Sequence, residues 1–479
     1  MTIAGVLLAL HTLVVIAFTL RILLRDDLSP PARLAWFVVL TLVPFAGSLV
    51  YFLFGEVTVG KQAHAAQKTI QEQVQSGRLP APDYDKYLQT DLDPTYQPAF
   101  SYASSVNGFP ATGGNTAELM ADGTETRDRI VADIDSAQDH VHALYYIWLN
   151  DETGIALAEA LMRAAQRGVT CRAMADGLGS RALIRSDLWQ QMKEAGVQLA
   201  IALPLDRPVR TLLTSRIDLR NHRKITVVDG VTTYCGSRNS ADPEFRVKAK
   251  YAPWVDIMLR FQGPVVAQNQ LLFASDWMRA TGEVLEPAPP PPAANKGGFP
   301  ALVTGHGPSE RRTSTPQLFA TLFGCARHSV TLSTPYFVPD AIVLEALNAA
   351  AHRGVDVTLI FPKVNDSWIV AAASRSFYRT LLEAGCTIHE YEGGLLHAKT
   401  LTVDGEVSLI GSSNLDLRSF DLNYENNILL HDAETTRKIG TRQSEYIAKS
   451  VQIDHSDVVK WPYHKRIWHN AIATIGPVL

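Results

Sequence analysis

Two long apolar runs open the chain. Ile3 to Leu20 is apolar apart from His11 and a few threonines. A charged break, RILLRDDLSPPAR, follows, and Leu34 to Phe54 then runs 21 residues without a charge. About 20 apolar residues cross a bilayer core, so the pattern predicts a two-helix transmembrane hairpin over residues 1–56. A cleaved signal peptide fits less well, because the first run lacks a basic start and a small-x-small cleavage site. Arg21, Arg25 and Arg33 sit in the connecting loop, against Lys61 and Lys68 beyond the second run. That margin of three to two points the catalytic part outward and leaves the membrane side open.

Residues 57–99 are polar and Gln-rich, a juxtamembrane linker. From about Phe100 the pattern becomes α/β. HVHALYYIWL (140–149) reads as a strand, GIALAEALMRAAQRGV (154–169) as a helix stopped by glycine, and TCRAMADG (170–177) as the next strand. The order recurs with SVTLSTPYFV (329–338), AIVLEALNAAAHRGV (341–355) and DVTLIFP (356–362). LLEAGCTIHEYEGG (381–394) echoes MKEAGVQLAIALPL (192–205) in the same way. The repeat therefore covers whole half-domains, 100–284 and 299–479. Between them LEPAPPPPAANKGG (285–298) is a surface connector, since consecutive prolines continue neither a helix nor a sheet interior. The expected fold is α/β: two duplicated half-domains, each a mixed sheet flanked by helices, behind the hairpin.

The 479 residues are enough for more than one domain, and a formal net charge of −4 argues against an electrostatic nucleic-acid binder. Cys171, Cys235, Cys325 and Cys386 are scattered, signalling neither a zinc site nor a disulfide framework.

One short pattern occurs twice. NHRKITVVDGVTTYCGSRNS (221–240) and LHAKTLTVDGEVSLIGSSNLD (396–416) share seven positions at identical spacing. They are His222, Lys224, Asp229, Gly230, Gly236, Ser237 and Asn239, against His397, Lys399, Asp404, Gly405, Gly411, Ser412 and Asn414. Val, Ile and Thr around Asp-Gly predict a hairpin. A two-residue loop would set Val228 opposite Val231, His222 opposite Ser237, and His397 opposite Ser412. Alternation puts His222 and Lys224 on one face. Asp229 and Asp404 fall at the far turn, a structural place. Two such clusters face to face would supply ammonium groups from Lys224 and Lys399. Ser237, Asn239, Ser412 and Asn414 would add phosphate-binding groups. The two imidazoles can divide labour as nucleophile and general acid. No carboxylate cluster of the kind that holds magnesium accompanies them, so the chemistry reads as cofactor-free phosphodiester transfer through a phosphohistidine.

These residues resemble the HKD signature of the phospholipase D superfamily, HxKx4Dx6GSxN, in both copies. TPYFVPD (334–340), GLLHAKT (394–400), NLDLRSFDLNYE (414–425) and WFVVLTLVPFAGSLVYFLFGE (36–56) resemble bacterial cardiolipin synthases. The resemblance implies a multi-pass bacterial inner-membrane enzyme that joins two phosphatidylglycerol molecules into cardiolipin and glycerol. It also implies His222 as nucleophile, His397 as acid and base, and an acidic residue downstream of each motif that orients its histidine. Glu425 fits that place in the second copy; Asp256, or less well Glu244, fits it in the first. The basic run 206–224 suggests Arg220 and Arg223 as headgroup contacts.

Three rivals remain. A hydrolytic phospholipase D on the same scaffold would use water as acceptor and release phosphatidic acid. A membrane-anchored nuclease would want a basic groove, against the net charge. A non-catalytic lipid-binding scaffold would have lost a motif His or Lys, and neither copy has. The sequence is silent on oligomeric state, acyl-chain preference and phosphatidylethanolamine as acceptor.

Overall fold

The computed structural model describes residues 2–26, 28–56, 91–205, 216, 218–285 and 297–475, with residues 68 and 72. The proline-rich connector, most of the polar linker and most of the basic run before the first motif lie outside the described residues. The described residues fall into two compact units: one holds the N-terminal segment, and the other contains both half-domains.

In the first unit Ile3–Leu23 is one apolar helix long enough to span a bilayer. The second apolar run corrects the expected hairpin. It forms two shorter helices, Pro30–Leu42 and Ala46–Phe54. Thirteen residues extend only about 20 Å at ~1.5 Å each, short of the ~30 Å core. Pro44 explains the break: it has no N–H to continue the helix and disfavours helical geometry at Val43. Phe45 takes φ 58°, and the chain folds back until a Cβ on Gly47 would sit 2.3 Å from the Val39 carbonyl oxygen. Trp36 then meets Tyr51 edge-on at 5.2 Å. Multi-pass topology is therefore not supported; one clear span is.

In the second unit the two halves repeat one sheet. The first half runs Gln198–Ala202, Thr170–Asp176, His140–Tyr145, Lys224–Val228, Thr232–Gly236, Met258–Gln262, Thr112–Leu119 from edge to centre. The second half repeats it as Thr387–Tyr391, Asp356–Pro362, Ser329–Ser333, Thr400–Val403, Val407–Gly411, Asn423–His431, Phe299–His306. In both, the first two pairings are parallel, as strand–helix–strand crossovers require, and the remaining ones antiparallel. The sheets join where Thr112 pairs with Ala301 and Asn115 with Phe299. Apolar alternation fills one core under each half, and a third cluster draws on both, with Leu144, Ile225 and Leu259 against Ile410, Ile428 and Leu430. Gln97–Asn107 crosses the boundary expected at residue 100: Ala99, Phe100 and Ala103 bury themselves in the second half's core.

The motif hairpins are one residue out of the expected register. Asp229 and Gly230 have φ 51° and 64°, and the Val231 N–H donates to the Val228 carbonyl at 2.9 Å. The ladder then resumes at Val228 opposite Thr232, leaving Val231 as a bulge. Val403 opposite Val407 repeats this around Asp404 and Gly405. Extended back, these ladders set the motif serines opposite neither histidine.

Candidate active site

The two motif aspartates pin the hairpin tips. Asp229 accepts the N–H groups of Gln138, Asp139 and His140 at 2.8–2.9 Å. Asp404 accepts those of Arg327, His328 and Ser329 at 2.7–2.9 Å. Each fastens the entry of the neighbouring strand and lies away from the histidines.

Two short parallel pairings build the centre. Arg220–Asn221 pairs with Asn423–Tyr424, and the His222 N–H donates to the Tyr424 carbonyl at 2.8 Å. Leu395–Leu396 pairs with Trp254–Val255, and the His397 N–H donates to the Val255 carbonyl at 2.8 Å. Each histidine is thus laced to the opposite half, and the residue that follows in the partner segment is acidic. His222 Nδ1 lies 3.2 Å from Glu425 Oε1, and His397 Nδ1 lies 2.6 Å from Asp256 Oδ1. The sequence reading paired each carboxylate with the motif of its own half; the structure exchanges them. Glu244 is exposed and belongs to neither pair.

The motif serines serve the carboxylates. Ser237 Oγ donates to Asp256 at 2.6 Å and Ser412 Oγ to Glu425. Both serines are fully buried, which corrects their expected place as phosphate ligands. The glycine before each serine allows this: a Cβ on Gly236 or Gly411 would stand 2.2 Å from the carbonyl oxygen of Ile257 or Asn426. Asn239 Oδ1 accepts the Ile147 N–H at 3.2 Å, and Asn414 donates to Ser419 Oγ at 3.1 Å.

Electrostatics brings the two clusters into one site. Lys224 and Lys399 each act on the other's surroundings, and both act on His222. Burial lowers His222 to about 4 against the pull of Glu425, and lowers His397 in the same sense. Burial also brings Lys224 down to about 8 and Lys399 to about 7, partly offset by Glu425 and Asp256. Burial alone would raise Asp256, yet His397 and Lys399 outweigh it and hold it at about 2. His222 is therefore neutral near pH 7, with Nδ1–H held by Glu425 and Nε2 left with its lone pair, whereas His397 faces the ionised Asp256, which favours its protonated form against burial. Each ammonium also donates to its own histidine's backbone carbonyl, Lys399 at 2.7 Å.

Sequence reasoning missed several neighbours. The Tyr146 ring lies 4.0 Å from His222 and the Trp254 ring 4.6 Å from His397. Asp176, fully buried, accepts the Asn221 N–H at 3.0 Å and fixes the approach to His222. Asp416, raised by burial to about 6, acts on Lys399. Asn423 Nδ2 donates to Glu425 Oε1 at 3.4 Å, beside His222.

Arg223 is corrected as a headgroup contact. It is fully buried and donates to Asp276 at 3.0 Å and to the carbonyl oxygens of Glu425 and His306. Arg220 is also buried and bonds the Leu219 carbonyl at 2.6 Å. Among the described residues, no three His, Cys, Asp or Glu side chains group as metal ligands would.

A duplicated α/β sheet with paired His-Lys motifs meeting at one centre defines the phospholipase D-like class. The family described as cardiolipin synthase, PLD-like domain, matches residues 130–268 and 320–445, and the phospholipase D-nuclease N-terminal family matches 13–56. Cardiolipin synthase A of Edwardsiella ictaluri is 34% identical over 476 residues, covering 98% of this chain and 97% of its own. Cardiolipin synthase A of Serratia proteamaculans is 34% identical over 474 residues with the same coverage. The crystal structure of a phosphatidylserine synthase from Haemophilus influenzae superposes with a TM-score of 0.57 at 15% identity, over 80% of this chain and all of that one. The chain belongs to the cardiolipin synthase family.

Proposed function

We propose that the protein is a phosphatidyltransferase of the bacterial inner membrane that makes cardiolipin from two phosphatidylglycerol molecules. His222 Nε2 attacks the phosphorus of the first lipid. The bond from phosphorus to the headgroup glycerol oxygen breaks, and His397, which enters the step as the imidazolium paired with Asp256, gives that oxygen its Nε2 proton. Glycerol leaves and the second lipid's terminal hydroxyl takes its place. His397 removes the hydroxyl proton, the oxygen attacks the phosphorus, and the phosphorus–nitrogen bond breaks to release cardiolipin and free His222. Lys224 and Lys399 hold the non-bridging oxygens, with Asn239 and Asn414 beside them. Glu425 and Asp256 hold each imidazole so that Nε2 faces the phosphorus.

The reciprocal histidine–carboxylate pairing carries this reading: two imidazoles, each fixed at Nδ1 by a buried carboxylate, beside two ammonium groups. His222 takes the nucleophile's role because its side chain is 18% exposed, against 8% for His397.

The test uses detergent-solubilised enzyme with labelled phosphatidylglycerol as sole lipid. Cardiolipin and glycerol should rise in step, be insensitive to chelator and vanish in His222→Ala and His397→Ala. Phosphatidic acid without cardiolipin would make water the acceptor and overturn the reading.

A further inference from the structure

We propose that the face formed by the C-terminal helix Tyr463–Ile475 and the helix Trp368–Ser376 docks the catalytic unit onto an anionic lipid surface. The proposal rests on the phospholipid substrate argued above, and its test lets the two fail separately.

The C-terminal helix is apolar on two sides. Ile472 packs inward against Val338, Ala372 and Ala373. On the other side Tyr463, Ile467 and Trp468 are 81%, 68% and 50% exposed. Tyr463 and Ile467 stand one turn apart, so they share a stripe. Trp468 stacks on Trp368 at 5.8 Å and 15°, and Trp368 is itself 61% exposed. Soluble surfaces rarely gather large apolar side chains in this way. Tryptophan and tyrosine suit the boundary between headgroups and acyl chains, where one end of the ring is wet and the other dry.

Charge selects the occupant. From Val458 to Ile475 the chain holds Lys460, Lys465 and Arg466 and no Asp or Glu, although the whole chain is net negative. A basic rim around exposed aromatic residues matches an anionic bilayer surface. A second copy of this chain is a poorer partner, because a two-fold contact would press the same basic rim against itself.

The face is also coupled to the active site. Asp366, two residues before Trp368, accepts the Tyr336 hydroxyl at 2.6 Å and the Lys248 ammonium at 2.6 Å. Tyr336 is raised by burial and by Asp366, and it also feels the charge of Asp416 in the segment that follows the second motif.

The experiment uses the full chain reconstituted into vesicles of phosphatidylglycerol in a neutral lipid. Cardiolipin formation is followed against the mole fraction of phosphatidylglycerol, and separately with a short-chain phosphatidylglycerol kept monomeric in detergent. Ile467→Asp combined with Trp468→Glu should raise the half-saturating mole fraction about tenfold and leave the short-chain rate within twofold. Trp468→Phe should behave as the parent. Tryptophan fluorescence in vesicles brominated near the headgroups should be quenched in the parent and less so in Trp468→Phe. Equal losses on both substrates would overturn the proposal, as would unchanged bilayer kinetics. A dimer in the parent that the double variant splits would assign the face to a second copy and overturn it too. If the parent makes no cardiolipin, the functional reading falls, and the quenching alone decides docking.

Discussion

Replacing Glu425 with Gln should disable the histidine of the other half. Glu425 is fully buried, and its Oε1 lies 3.2 Å from His222 Nδ1. A hydrogen bond to a charged group contributes about 1.5–3 kcal/mol. At about 1.36 kcal/mol per tenfold in rate, attack by His222 should slow roughly 10- to 150-fold. Asp256→Asn should cost the His397 step an amount near the upper end, because that contact is shorter, at 2.6 Å.

The two losses separate with a phosphatidyl ester of p-nitrophenol. That leaving group departs without a proton, so formation of the phosphoenzyme no longer needs His397. Rapid-quench measurement should show a p-nitrophenolate burst in Asp256→Asn followed by slow turnover, since the acceptor hydroxyl still needs its base. Glu425→Gln should show a burst phase slowed by the worked factor. If the phenotypes were exchanged, His397 would be the nucleophile and His222 the acid and base, and the roles assigned from exposure would be refuted.

The pH dependence follows from the same burial. His222 must be neutral and the lysines charged, so kcat/KM of the free enzyme should fall as pH drops through about 4 and as it rises through about 7 to 8. For stability the sign is opposite on the alkaline side. Above pH 7 the unfolded lysines, at about 10.5, bind more protons than the folded ones, so their contribution to stability rises with pH. Activity lost between pH 7 and 9 with an unchanged or higher Tm supports this; a falling Tm over that window would assign the loss to unfolding. Arg223→Met should destabilise by about 3–5 kcal/mol, because it leaves the buried Asp276 with less charge compensation. Added phosphatidylglycerol should saturate the folded fraction as in the parent; a raised KM would return Arg223 to headgroup binding.

Much of the local structure was legible from the chain. Apolar period and glycine stops placed strands such as Asp356–Pro362, because those signals are local. The bulge at Val231 was not, since a two-residue and a three-residue closure of Asp-Gly look alike in sequence. Nor was Pro44's effect weighed: composition made the second run long enough to span, and one missing N–H folded it back. Arg223 could have been placed correctly. It stands between His222 and Lys224, and strand alternation alone turns it to the opposite side, into the protein. The pairing of His222 with Glu425 had no local signal, because two-residue pairings between segments about 200 residues apart create it.

That crossed pairing says why the motif must occur twice in one folded unit. A single half carries a histidine, a lysine and a carboxylate, yet its carboxylate points to the other half's imidazole. Neither half can hold its own Nδ1, so a half folded alone would keep the motif and lose the orientation. The shared core and the strand pairing at Thr112 and Ala301 keep the halves in register, and the register makes the site. Duplication also leaves room for inequality. The Asp256 pair is shorter than the Glu425 pair and its imidazole is the more buried one, so the two imidazoles do not meet the phosphorus on equal terms. A nucleophile must move onto phosphorus and off again, whereas a proton carrier gains from being held close to its carboxylate. The looser pair suits the first task and the tighter pair the second, which is how a nearly symmetric frame can support two different roles.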